Sequence, residues 1–241
     1  MHFFYVLVNG VTWKLASKLV SGNFQYEKTL NRLFNKYSKD NVFGSIYDEL
    51  NDKYKKNTLI ENLKIDSTDI INGNCNKNDL GKSWKLHKQA IKATFIIDNN
   101  NVPLCYSLEN PTRNDSKVGY ELINLKLTKN KNKRIYLAGD KGYILNKNDN
   151  ENILKTKKIM MVTPKKRYKN KKKNKYYKKK IVRHSEQMSK ALSKRIYIEH
   201  FNSVIHRSYK RLDKIFDKSI SIFKSFVDIA LSIILIQNLI L

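Results

Sequence analysis

The sequence predicts an α/β fold, in which a mixed β-sheet is flanked by helices and a small helical region comes first. Residues 1–58 carry apolar side chains at helical spacing, and after Leu59 short apolar stretches alternate with helical ones. Their order, β-β-β-α-β-α-β-α, is typical of a mixed sheet with helices packed against it. Hydrophobic residues make up 41% of the chain, which is enough for a buried core.

The first elements are predicted from short apolar runs and the polar stretches between them. LIENLKI, which begins at Leu59, is strand-like, and the polar segment 68–83 after it is expected to be a loop. WKLHKQAIKATFIID and VPLCYSLEN flank the turn DNNN, so residues 84–110 are expected to form a hairpin. SKVGYELINLKL is predicted to be a helix with Asp115 or Ser116 as its cap.

The second half continues the alternation and ends in an apolar helix. IYLAGD and IMMVTP are predicted strands, separated by an irregular helix over 144–158. A helix is expected around SKRIYIEHFNSVIHRSYKRL. The final stretch, 219–241, has polar interruptions and too short an apolar run to cross a bilayer, so a buried terminal helix is predicted and no membrane contact. The expected parts are therefore residues 1–58 and residues 59–241.

The charge of the chain favours a polyanionic partner. Lys and Arg number 48 against 21 Asp and Glu, which gives a net charge of +27 and a pI near 9.9. A merely basic surface and an AT-rich codon bias are alternative explanations of the lysine excess. Two cysteines without a C-x-x-C pair give no sign of zinc and suit a reducing compartment. The N-terminus lacks a signal-peptide pattern, and its abrupt start inside apolar sequence suggests a clipped copy.

Three acidic residues lie in settings that suit metal-binding carboxylates. Asp66 and Asp140 each follow an apolar strand-like stretch, and Glu199 lies on the late helix. Converging carboxylates repel one another unless a divalent cation lies between them. A turn or cap at IDST, a turn at GDKGY and a surface pair of Arg195 with Glu199 are the ordinary alternatives.

The late helix is expected to present one polar face beside an apolar stripe. At 3.6 residues per turn, Arg195, Glu199, Asn202 and His206 share a face. The adjacent stripe contains Ile198, Phe201, Ile205 and Leu212. This spacing predicts that Glu199 lies at the border of the core, where a carboxylate can reach a site at the sheet.

The segment 165–180, KKRYKNKKKNKYYKKK, is a low-complexity loop or disordered arm. It carries eleven basic residues among sixteen, interleaved with three tyrosines. Lysines displace counterions from phosphates and tyrosines stack on unpaired bases, so nucleic-acid contact is expected. A solvated loop or a nuclear-import signal is the alternative.

These motifs together resemble the DDE-type transposases of insertion sequences, of the insertion-sequence-five and -four kind. The resemblance rests on FFYVLVNGVTWKLA, YEKTLNRLFNKYSKDNVFGSIYDEL, IDST, GKSWKLH, IIDNNNVPLCYSL, NDS, LAGDKGY and the late helix, in that order. The chain departs from the family helix at two places. Leu192 stands where a Tyr is usual, and His206 stands where a Lys is usual, with Arg207 beside it.

The resemblance implies an RNase H-like catalytic fold, with the basic segment inserted before the last helices. It implies that Asp66, Asp140 and Glu199 hold two Mg²⁺ (or Mn²⁺) ions and catalyse cleavage and joining of DNA strands. The implied partner is double-stranded DNA at the element ends and the target, bound by a homodimer. The chain would be cytoplasmic and DNA-associated, or nuclear in a eukaryotic host. The expected DNA-binding residues are Lys141, Lys165, Lys166, Arg167, Lys171, Lys172, Lys173, Arg195, His206, Arg207 and Lys210.

Two other functions remain open from the sequence alone. The first is a decayed or repurposed copy that binds DNA without cutting it, which the early start, Leu192 and His206 suggest. The second is a cellular RNase H-like nuclease acting on RNA or junctions, which would not depend on the sequence of repeat ends.

Overall fold

The structure is a computed structural model, and it describes residues 1–22, 26–73, 75, 80–127, 134–164 and 185–240. The helices within these residues are α1 (His2–Asn9), α2 (Trp13–Ser21), α3 (Glu27–Lys39), α4 (Val42–Asn57), α5 (Asp115–Lys126), α6 (Lys147–Lys157), α7 (Glu186–Ser193), α8 (Ile196–Ser208) and α9 (Ile220–Ile240). The strands are β1 (Asn62–Asn72), β2 (Gly81–Lys82), β3 (Gln89–Ile97), β4 (Pro103–Glu109), β5 (Ile135–Ala138), β6 (Ile159–Val162) and β7 (Lys214–Ile215). The basic segment 165–180 lies outside the described residues.

The seven strands found among the described residues belong to one mixed sheet, which confirms the predicted α/β class. The strand order is β2-β3-β1-β5-β6, with β4 on the outer edge of β3 and β7 beside the end of β1. β1 runs antiparallel to β3 and parallel to β5 and β7. This arrangement is consistent with the expected RNase H-like fold. It leaves β1 central, with two separate short parallel partners along one edge.

The first strand is longer than the sequence predicts. Residues 68–72, expected to be part of a loop, continue β1 to Asn72 and pair with β3. Asp66 therefore lies within the strand, and the prediction that it ends the strand is wrong. The polar run DSTD hid the strand because its hydroxyl and carboxyl groups find partners inside the fold, whereas sequence periodicity registers only apolar alternation.

Other element boundaries also differ from the expectation. β3 begins at Gln89, because residues 84–88 form a turn in front of it. Asn114, and neither Asp115 nor Ser116, is the N-cap of α5, and its side chain accepts a hydrogen bond from Ser116 N. The late helix is interrupted at Lys194 and Arg195, so that α7 and α8 are separate.

The N-terminal helices share their core with the last helix. Rings of Phe34 and Phe226 stack with centroids 4.4 Å apart, and Trp13 and Phe3 pack around them. The predicted terminal helix forms as α9 and packs against α4. By length and composition α9 is able to span a bilayer, but half of its most apolar stretch is buried in the protein, as in the core helix of a globular domain.

Candidate active site

Strand pairing places two of the predicted acids at equivalent positions. In the parallel pair of β1 and β5, Lys64 lies opposite Ala138 at the last paired position. Asp66 and Asp140 each come two residues later, so they follow the same point of the sheet. Asp66 stays in β1, which remains paired with β3, whereas Asp140 enters a loop. Ligands of α/β sheets bind where parallel strands end, which is where these two carboxylates lie.

The loop after β5 holds Asp140 in a defined position. Asp140 caps a short 3-10 turn, Lys141–Tyr143, and its Oδ1 accepts a hydrogen bond of 2.7 Å from Gly142 N. A Cβ atom on Gly142 would lie 2.8 Å from Asp115 Oδ2 and 3.0 Å from Asp140 Oδ1. The glycine therefore lets two carboxylates approach the same stretch of backbone, which explains its place in the GDKGY motif.

The carboxyl group of Asp66 is perturbed by its surroundings. Burial raises its pKa from 3.8 to about 6, and the negative charges of Asp140 and Glu199 add to the increase. A hydrogen bond from the backbone of Ser67 and the charge of Arg195 act in the opposite direction. Its Oδ2 accepts a hydrogen bond of 3.2 Å from Asn202 Nδ2 on α8. Asp140 and Glu199 thus lie close enough to Asp66 for their charges to act on its carboxyl group.

Glu199 lies in the first turn of α8 and is paired with Arg195. Their nearest nitrogen and oxygen are 2.7 Å apart, and the Glu199 side chain is about half exposed. The helix face predicted from the sequence is present: Asn202 contacts Asp66, and His206 Nε2 lies 3.2 Å from Thr68 Oγ1. Glu199 is therefore paired with Arg195 at the surface, and its negative charge also acts on Asp66.

The side-chain oxygens in this region are of the kind that binds divalent cations, although the three carboxylates are not gathered around one point. Among the described residues no group of three His, Cys, Asp or Glu side chains is close enough to hold a metal ion. Asp140 and Glu199 are engaged by Gly142 and Arg195 instead. Asn202 Oδ1 is buried without a hydrogen-bond partner, so a further oxygen donor faces the same region. Carboxylate and amide oxygens are the ligands that Mg²⁺ and Mn²⁺ prefer.

A partly buried hydroxyl network on the other face of β1 supports this region, and no sequence pattern predicted it. Ser67 Oγ bonds to Thr94 Oγ1 at 2.8 Å and to the Tyr143 hydroxyl. Burial raises the pKa of Tyr143 well above its usual value. The network ties β1 and β3 to the turn that carries Asp140, and so fixes the separation of the two aspartates.

An ion pair that the sequence did not predict lies beside the network. Lys92 Nζ on β3 is 2.6 Å from Asp115 Oδ1 at the start of α5, and the lysine is nearly buried. The one available signal was a lysine within an apolar strand, since a buried charge needs a partner. Asp115 therefore serves neither as the helix cap nor as a free carboxylate.

The expected DNA-binding residues fall into three groups: exposed cations, residues that are paired or partly buried, and residues outside the described part of the chain. Lys141, Arg207 and Lys210 are exposed, and Arg195 is paired with Glu199. His206 is partly buried, and burial lowers its pKa although Asp213 acts to raise it, so it is a poor phosphate ligand at neutral pH. The rest, Lys165, Lys166, Arg167, Lys171, Lys172 and Lys173, lie outside the described residues.

Comparison with known proteins identifies the family. Searches among curated proteins and among solved structures gave no match. A family model described as a transposase DDE domain matches residues 60–235. That range covers the sheet, α5 to α8, most of α9 and each of the three acids. The chain therefore belongs to the transposase DDE domain family, whose substrate is DNA.

Proposed function

We propose that the chain is a metal-dependent transposase of the insertion-sequence-five or -four kind, which cleaves DNA at the ends of its element and joins them to a target. The observation that carries the proposal is that Asp140 and Glu199, from two other elements, lie near enough to Asp66 for their charges to act on its carboxyl group. Burial raises the pKa of Asp66, and these two negative charges add to the increase. The family match supports the reaction class, which is phosphoryl transfer.

Asp66, Asp140 and Glu199 would hold two Mg²⁺ or Mn²⁺ ions, with Asn202 Oδ1 as a further oxygen donor. Such ions, when bound, activate the attacking hydroxyl group and stabilise the leaving oxygen in an in-line displacement. The role of the chain's own residues is to orient these oxygens. Burial of Asp66 also favours a bound cation, because an ionised carboxylate in this setting is costly without a partner charge.

Exposed cations would position the DNA around the acids. Lys141 follows Asp140 directly, and Arg207 and Lys210 extend from the end of α8. Contacts of this kind go to phosphates and fix the register of the duplex without reading its sequence. The basic segment 165–180 would add to the affinity through counterion release. A homodimer is expected, since two element ends must be brought together.

The test is Asp140→Ala in the purified full-length chain. The variant should lose Mg²⁺-dependent nicking and joining of element-end DNA, while its DNA affinity stays within about twofold. Chelation of metal should abolish the activity of the parent. Asp52→Ala, at an exposed position of α4, is the matched control and should cut normally. Equal cutting by Asp140→Ala and the parent would remove the assignment.

A second candidate is a repurposed copy that binds DNA without cutting it. The favouring observation is that Glu199 is paired with Arg195 and that the described acids form no ready metal site. The parent chain would then bind DNA with the same salt dependence but show no metal-dependent product. Strand transfer by the purified parent eliminates this candidate.

A further inference from the structure

Trp84 is an exposed tryptophan at the edge of the candidate active site. Its side chain is 83% exposed, whereas the other tryptophan, Trp13, is 9% exposed and packed in the aromatic core. Tryptophan offers a large flat apolar surface, and residues of this kind at the surface are enriched where a partner is bound.

The backbone that carries Trp84 is firmly held. Residues 83–88, here called the tryptophan turn, connect β2 and β3. Ser83 is fully buried, and its hydroxyl group donates to Asp69 Oδ2 at 2.5 Å and accepts from Leu86 N at 3.0 Å. Backbone hydrogen bonds join Ser83 N to Lys88 O and His87 N to Ser83 O. Trp84 is therefore presented to solvent by a fixed turn that is anchored to β1.

The tryptophan turn borders a cavity that reaches the neighbours of two catalytic candidates. The cavity has a volume of about 530 Å³, and its lining includes Trp84, Ser67, Lys141 and Gly142. Ser67 follows Asp66, and Lys141 and Gly142 follow Asp140. Because side chains alternate along a strand, Ser67 and Asp66 lie on opposite faces of β1. The cavity thus runs alongside the carboxylates and does not include them.

The surroundings of Trp84 are cationic. Lys82, Lys85 and Lys88 are exposed on the same short stretch, and Lys141 faces the same cavity. Within the described part of the chain, Lys85 and Lys141 form no ion pair. Lysine is depleted at the centres of protein–protein interfaces, which disfavours a protein partner. Lysines around an aromatic ring are the arrangement that binds single-stranded nucleic acid.

We propose that Trp84 is a stacking platform for an unpaired DNA base next to the strand that enters the active site, with Lys85 and Lys141 on the flanking phosphates. The inference rests on the proposed function, since it assumes a DNA substrate. A duplex exposes its base faces only at its ends or where the strands separate. Trp84 would therefore distinguish DNA with an unpaired base at the element end from a fully paired duplex.

The experiment uses tryptophan fluorescence of the full chain. Because the sequence contains two tryptophans, Trp13→Phe leaves Trp84 as the only tryptophan in a conservative background, and excitation at the red edge of the absorption band avoids the tyrosines. Three DNAs of equal length are titrated: a blunt duplex, the same duplex with an unpaired overhang, and the overhang duplex with abasic sites in place of its unpaired bases. We expect quenching with the overhang DNA and little with the other two.

Affinity measurements complete the test. Trp84→Ala should weaken binding of the overhang DNA roughly ten- to hundredfold while leaving the blunt duplex nearly unchanged. Trp84→Phe should retain most of the affinity. Leu125→Ala, which removes an 80% exposed apolar side chain of α5, should have no effect. Circular dichroism of each variant reports whether the fold is intact.

The proposal would be overturned by unchanged overhang affinity in Trp84→Ala, or by equal quenching by the abasic and intact overhangs. Quenching by the blunt duplex alone would also overturn it. Cleavage is measured separately, so the two proposals can fail independently. A chain that stacks bases but never cuts refutes only the proposed catalysis, and one that cuts but shows no stacking refutes only the role of Trp84.

Discussion

Asp66→Asn should stabilise the folded protein at neutral pH while it removes catalysis. Asparagine has nearly the same shape as aspartate and keeps an oxygen that accepts the hydrogen bond from Asn202 Nδ2. The substitution removes a negative charge that lies in a partly buried position near Asp140 and Glu199. Replacing a residue that is kept for function and not for stability commonly stabilises the folded protein.

The magnitude follows from the pKa of Asp66. Burial raises that pKa from 3.8 in its ordinary state to about 6 in the folded protein. One pKa unit corresponds to about 1.36 kcal/mol, so the difference corresponds to about 3 kcal/mol in the free energy of unfolding. Solvent around the partly exposed carboxylate reduces the expected gain to about 1–3 kcal/mol. For a chain of this size that is an increase in Tm of about 2–12 °C.

The sign of the pH dependence is fixed by the direction of the shift. Between about pH 4 and 6 the folded state keeps the Asp66 proton that the unfolded state has lost, so the stability of the parent falls as pH rises. Below about pH 4 both states are protonated and the penalty is absent. Asp66→Asn lacks this contribution at every pH, so its advantage should appear across that window and stay constant above it.

The assay is urea denaturation across this pH range with a metal chelator present. The difference between parent and Asp66→Asn should grow between about pH 4 and 6 and then level off. Asp52→Asn is the control at an exposed position of α4 and should follow the parent. If Asp66→Asn is less stable than the parent at neutral pH, or if the difference does not change with pH, the electrostatic account of this site is wrong.

Two further predictions concern the site loop and the core. Gly142→Ala should reduce cleavage at least about tenfold and lower the free energy of unfolding by about 1 kcal/mol. The reason is that the new methyl group would displace the carboxylates of Asp115 and Asp140. Activity equal to that of the parent would show that Asp140 need not be held in place. Arg211→Ala should lower the free energy of unfolding, measured by thermal denaturation, by about 3–5 kcal/mol, because it leaves Asp217 buried without its 2.7 Å partner. A loss below about 1 kcal/mol would mean that water reaches Asp217 instead.

The sequence alone indicated which acids to examine, for reasons that are local. Asp140 follows an apolar stretch and precedes a glycine, and the spacing of Arg195, Glu199 and Asn202 is a property of any α-helix. These patterns involve only residues that are close together in the sequence, so they can be recognised without knowledge of the fold. The helix face and the mixed α/β class were confirmed, whereas the catalytic roles of the acids remain predictions.

The positions of polar residues inside the sheet required the tertiary structure. Asp66 lies within a strand because Ser67 and Thr94 bond across it, and Lys92 is tolerated in the sheet because Asp115 reaches it from α5. No local pattern reveals such partners, which are separated by twenty residues or more in the chain.

The sequence by itself determined the charge of the protein, the class of its fold and the three acids to examine as metal ligands. The tertiary structure decided that Asp66 is partly buried near the other two acids, and that Trp84 remains in solvent at a cavity lined by Ser67 and Lys141. The physical reason is that hydrophobic periodicity depends on near neighbours in the chain, while burial, strand register and electrostatic coupling depend on which distant segments pack together.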